Sequence, residues 1–164
     1  MKTNTLFAYA IIVLSAVFSS SAYGKTDNSP QVNYEQQVKT NLKELNQQLE
    51  TAAEDTVISS LHSKIAYLNG LLKNHSEAIN HYSLAIDALE RAKGKDCIDI
   101  AMILYEQSLC YHYSGDETNA DGTLTKALDL CSKSSGEDAY KAAKTMKTIA
   151  DHFYYSNNHN KASS

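Results

Sequence analysis

The chain repeats itself at an interval of 42 residues, and this constrains its fold more than any single motif. Ala78 recurs as Ala120 and Ala162, Ala85 as Ala127, Asp87 as Asp129, Gly94 as Gly136, Asp96 as Asp138, and Ala101 as Ala143. A period of roughly 20 to 50 residues predicts stacked copies of one supersecondary unit, none of which can bury its apolar face alone. The small residues Ala66, Ser108 and Ala150 share the spacing, as do the larger Asn69, Tyr111 and Phe153, with Asn69 departing from the aromatic pattern. Such alternation of small and large suits helices that approach closely.

Local signals make each unit a helical pair. Ile58, Leu61, Ile65, Leu68 and Leu72 recur at spacings of three and four, as do Ile100, Ile103, Leu104 and Gln107, then Met146, Ile149 and Phe153. Turns are expected at Lys73 to Ser76, Ser114 to Asp116 and Tyr155 to His159, each with a residue able to cap a following helix. Second helices then run about Glu77 to Ala92 and Glu117 to Ser132, and a new helix begins near Asn160. Gly94 and Gly136 stand where a helix C-terminus favours positive φ, and Asp96 and Asp138 follow as caps. With one proline and six glycines in 164 residues, the composition also favours helices over a many-turned β fold.

At these positions the chain resembles the tetratricopeptide repeat family, in its long 42-residue variety typified by kinesin light chains. The resemblance rests on the small column Ala66, Ser108 and Ala150, the turn Gly115-Asp116, the alanines 78, 85, 120 and 127, and the linker from Gly94 to Ala101. Departures are Cys97-Ile98 in place of the family's His-Pro, and Lys73 and Asn157 in the place of Gly115. The resemblance implies an all-α fold, a right-handed superhelix of about two and a half hairpins: residues 59–93, 97–135 and an incomplete 139–164. The third unit reads either as a terminal cap with a polar face at Lys141, Lys144, Lys147 and Asp151, or as a fragment. An amphipathic helix over residues 32–53, with Val38, Leu42, Leu45 and Leu49 on one face, reads as the N-terminal cap. So short a solenoid is expected to be of moderate stability or to self-associate.

Upstream of that cap, Lys2, the apolar run Leu6 to Phe18 and the small-residue site Ala22-Tyr23-Gly24 read as a secretory leader over residues 1–24, cleaved after Gly24. The run is too short for a stable membrane span, and residues 25–31 read as a flexible lead-in. A periplasmic or secreted protein is the expectation. The formal net charge of -4 gives no general attraction to phosphate backbones, which argues against nucleic-acid binding.

No sequence motif points to catalysis or a cofactor. A phosphate-binding glycine loop, a nucleophile elbow and a zinc-protease histidine pair are all missing from the sequence. The histidines do not converge along the chain: Cys110 and His112 lie about 200° apart around a helix and His75 and His81 about 240°, so no metal site is expected. The three cysteines leave two readings open. Cys97 and Cys131 both fall at the open end of one antiparallel hairpin and can form a disulfide, with Cys110 too far along to join them. Otherwise all three are small buried apolar side chains.

What remains is binding. The family resemblance implies a groove along the inward faces of the first helices, here Tyr67, Leu71, Met102, Tyr105, Leu109, His112, Tyr113, Lys144, Lys147 and Tyr154. Tyrosines there offer large contact area with a polar tip at low entropy cost, and the lysines suit an acidic group. The other reading of the same tyrosines is inter-repeat core. The function expected is an exported adaptor that holds a protein or peptide segment without catalysis. A self-assembly module pairing through its terminal helix, and a small enzyme of unrecognised type, are the alternatives.

Overall fold

The computed structural model describes the backbone of residues 30–162 and the side chains of residues 35–154. The expected leader and lead-in, up to residue 29, lie outside the described residues. Six helices and no strand occur among those described: α1 (Pro30–Thr51), α2 (Asp55–Leu71), α3 (His75–Lys93), α4 (Asp99–Ser114), α5 (Glu117–Lys133) and α6 (Asp138–Ala162). From residue 35 on they belong to one unit, Glu35–Ser164. The helices in contact are α2 with α3, α3 with α4, α4 with α5, and α6 with both α5 and α4, while α2 also touches α4. Two hairpins followed by a single long helix result. On α1, Val38 is buried and Leu42, Leu45 and Leu49 are half-buried, so the apolar stripe is its less exposed side.

Both hairpins turn by the same device. After α4, Gly115 sits at φ 85°, its N–H donates to the His112 carbonyl, and the Asp116 N–H donates to the Tyr111 carbonyl at 2.9 Å. This pair of bonds closes the orphan carbonyls of a helix end. After α2, Lys73 takes the same left-handed conformation at φ 63°, with Lys73 N–H on Gly70 and Asn74 N–H on Asn69. Asn74 Nδ2 further donates to Asn69 Oδ1 at 3.3 Å. Lys73 therefore does what Gly115 does 42 residues later, although a side chain pays a steric cost there. Asp116 caps α5 by accepting from the Asn119 N–H at 3.1 Å. Gly94 and Gly136 also have positive φ, but Ile98 stands at the N-cap of α4 with no side-chain cap, and Asp138 is the first residue of α6 itself, so neither Asp96 nor Asp138 fills the capping position expected of it.

The expected turn at Tyr155 to His159 does not form, since α6 runs on to Ala162. No glycine or proline occurs between Gly136 and that point, and asparagine costs a helix only about half a kcal/mol relative to alanine. Asn157-Asn158 is thus too weak a break, and no helix starts at Asn160.

The repeat dictates the core. Ala78, Ala85, Ala120 and Ala127 are all buried, as are Ala66 and Ser108, which lets helix backbones approach. Leu89, Ile100, Leu104, Tyr105, Ala127 and Ile149 join α3 to α6 in one cluster, and Ala66, Ala78, Tyr82 and Cys110 form a second where α2, α3 and α4 meet. Burying an aliphatic side chain of this size contributes about 1.5 to 3 kcal/mol. The periodicity then breaks in a telling place. Ser59, Ala66, Ala101, Leu104 and Ser108 are buried on α2 and α4, yet their counterparts on α6, Ala143, Met146 and Ala150, are exposed, and Phe153 beside them is 48% exposed.

Candidate functional site

The residues expected to line an inner groove divide by burial. Tyr105 is only 5% exposed and belongs to the main core cluster, with Met102 and Leu109 packed against it. Burial, with Tyr113 and Glu106 nearby, pushes the Tyr105 hydroxyl up to about 12. For this tyrosine the core reading is correct. Tyr67 and Leu71 are half-buried, while His112, Tyr113, Lys144, Lys147 and Tyr154 are exposed. Lys147 is engaged by Asp151, one turn on, at 2.5 Å.

His112 and the half-buried His75 lie against Tyr113. Its ring stacks on His75 at 5.9 Å between centroids and lies 5.6 Å from His112. His112 Nδ1 is in turn 2.9 Å from a Glu117 carboxylate oxygen, so the start of α5 fixes its ring. Beside this group, His152 meets Tyr105 edge-on at 6.1 Å and Phe153 at 5.8 Å. Burial, and then the neighbouring His112, hold His152 below the ordinary histidine value. Tyr113 itself is 60% exposed, a large ring positioned by imidazoles rather than sunk among aliphatics. His75 entered the sequence reading only as a non-ligand, because its stacking on Tyr113 depends on the first hairpin packing against the second, which sets the start of α3 beside the end of α4.

A second feature escaped the sequence reading entirely. Between α3 and α5, over α4, lies an open groove of about 350 Å³ floored by Ile100, Leu104 and Leu130 and edged by Asp87, Glu90, Lys95, Lys126 and Asp129. With three carboxylates to two lysines, its rim is mixed in charge. The signal was present in the repeat, since Asp87 and Asp129 are counterparts on two second helices, but only packing shows that those helices part above α4.

Polar groups between the hairpins were also missed. Tyr82, 2% exposed, donates its hydroxyl to Glu106 Oε2 at 2.9 Å. Burial raises the Glu106 carboxyl above the usual range despite that bond, and burial followed by the Glu106 charge raises the Tyr82 hydroxyl as well. Gln107 Nε2 donates to the Ile79 carbonyl and to Ser83 Oγ, tying α4 to α3. Asp99 accepts from Lys93 and Lys141, each at 2.7 Å. Burial works to raise its carboxyl, yet the two lysines win and hold it below the usual range.

All three cysteines are free thiols, with Cys97 and Cys131 not joined. Cys131 packs with Ile98, Ala101 and Ala142, whereas Cys97 packs against the Leu89 cluster with its Sγ 3.7 Å from Asp99 Oδ2. Burial pushes the Cys110 thiol up to about 11 and raises that of Cys131.

Among the described residues no group of three His, Cys, Asp or Glu side chains converges to hold a metal ion, and no helix is long and apolar enough to cross a membrane. No family model matches the chain, and no curated protein matches it. The site has to be judged on its own chemistry: an exposed aromatic and imidazole surface suited to contact.

Proposed function

We propose that the chain is an exported, non-catalytic adaptor of the tetratricopeptide type, which holds a protein or peptide segment against the surface around Tyr113. The observation that carries this reading is Tyr113 itself, 60% exposed yet held between His75 and His112. A rigid aromatic with a polar tip offers contact area at little entropic cost, the property that marks binding hot spots. The 42-residue register and the shared hairpin turn support the family, and the apolar run Leu6 to Phe18 supports export. Replacing Tyr113 and Tyr154 together by serine tests the reading. Both are well exposed, so the melting temperature should move by little, within about 0.5 kcal/mol of stability. Co-purification of the partner from the exporting cell should fall at least ~10-fold, the loss of about 1.4 kcal/mol. Undiminished co-purification refutes it.

A second reading, self-assembly through α6, has one observation in its favour: the exposed column Ala143, Met146, Ala150 and Phe153.

A further inference from the structure

The turn between α2 and α3 brings together two histidines that lie 19 positions apart. His62 Nδ1 and His81 Nδ1 are 2.8 Å from each other, with ring centroids 5.0 Å apart and planes tilted by 43°. Both rings are half-buried within the hairpin. As neutral imidazoles, one donates its Nδ1–H to the lone pair of the other. Two nitrogens this close can also share an ion, once each ring turns its lone pair off the line between them.

We propose that His62 and His81 form a two-nitrogen site for a divalent transition metal of square-planar or tetragonal preference, Ni(II) or Cu(II), with water completing the coordination. The separation chooses the metal class. Nitrogens about 2.0 Å from a common ion and 2.8 Å apart subtend about 90° at it, the angle of adjacent ligands in a tetragonal site. A tetrahedral zinc site needs about 109°, hence nitrogens about 3.3 Å apart, and the hairpin would have to open by about half an ångström. On binding, the donor ring loses its Nδ1 proton to solvent and gains one at Nε2, so both Nδ1 lone pairs face the ion and both rings then carry Nε2–H.

The repeat supplies an internal control. One period on, His62 and His81 become Leu104 and Thr123, both buried and neither a metal ligand. A fold that fills these positions with apolar and hydroxyl side chains in the second hairpin does not need two imidazoles in the first. Metal binding there fastens α2 to α3, so it acts on the stability of the first hairpin and leaves the surface around Tyr113 in place.

The test is calorimetric titration of the full chain with Ni(II) alone, which does not oxidise thiols. The expected result is one saturable ion per chain and a raised melting temperature. His62→Leu, which installs the residue the second hairpin uses, and His81→Gln should each weaken binding at least ~10-fold while circular dichroism stays helical. His112→Ala should leave the isotherm unchanged. Zn(II) should bind more weakly than Ni(II). Four outcomes overturn the proposal: no saturable Ni(II) binding, an isotherm untouched by either His62→Leu or His81→Gln, loss on His112→Ala, or Zn(II) binding tighter than Ni(II).

Discussion

Glu106 is a carboxylate that the fold encloses against the Tyr82 hydroxyl. Its carboxyl is raised in the folded state, by burial first, so the native protein binds this proton more tightly than the unfolded chain. The stability linked to it is fully present below the ordinary glutamate value of 4.5 and is lost as pH rises through the raised value. Glu106→Gln keeps an acceptor for Tyr82 and removes the charge. The variant should melt above the wild type at pH 8, with the gap closing as pH falls toward 4.5, as scanning calorimetry across pH would show. The thiols give a second prediction. At pH 8, iodoacetamide should label half-buried Cys97 first, and Cys110, with its thiol near 11, only on unfolding, with mass mapping finding no Cys97–Cys131 bond. Residue-scale facts were unevenly legible. Positive φ at Gly94, Gly115 and Gly136 follows from glycine at helix ends, but the contacts of His62 with His81 and of Tyr82 with Glu106 need two helices in register before spacing means anything.

Helices were the most legible level. The positions of α3 and α5 follow from the apolar spacing and the capping residues to within two residues, because both lie between strong punctuators. The end of α6 was not legible, since its expected stop relied on asparagines, which a helix tolerates. Lys73 shows the converse: nothing in a lysine announces a left-handed turn, and the turn is held by bonds to Gly70 and Asn69. The exposed column on α6 carries a prediction of its own. If α6 pairs with another copy, Met146→Glu should abolish a concentration-dependent dimer in sedimentation equilibrium while leaving the helical spectrum intact, because Met146 is already 46% exposed. A wild type that stays monomeric at ~100 µM, a concentration at which a pair with micromolar affinity is mostly associated, removes the self-assembly reading.

At the scale of the molecule, the repeat sets which surfaces exist. First helices α2, α4 and α6 touch in succession, while α3 and α5 part to leave the groove over α4. The chain thus offers a partner two quite different surfaces: aromatic and imidazole around Tyr113, or charged and mixed around Asp87 and Lys126. The sequence pointed to the first through its tyrosines, though it could not separate buried Tyr105 from exposed Tyr113, because both lie on one helix two turns apart and their neighbours decide. The central claim is that the surface around Tyr113 is the one that binds. It is tested most directly by placing a photo-crosslinking benzoylphenylalanine singly at Tyr113, Tyr154, Asp87 and Lys126, then irradiating the chain in its source cell. Adducts to a common protein from positions 113 and 154 and none from 87 and 126 are the predicted result; adducts confined to 87 and 126, or none from any position, would contradict it.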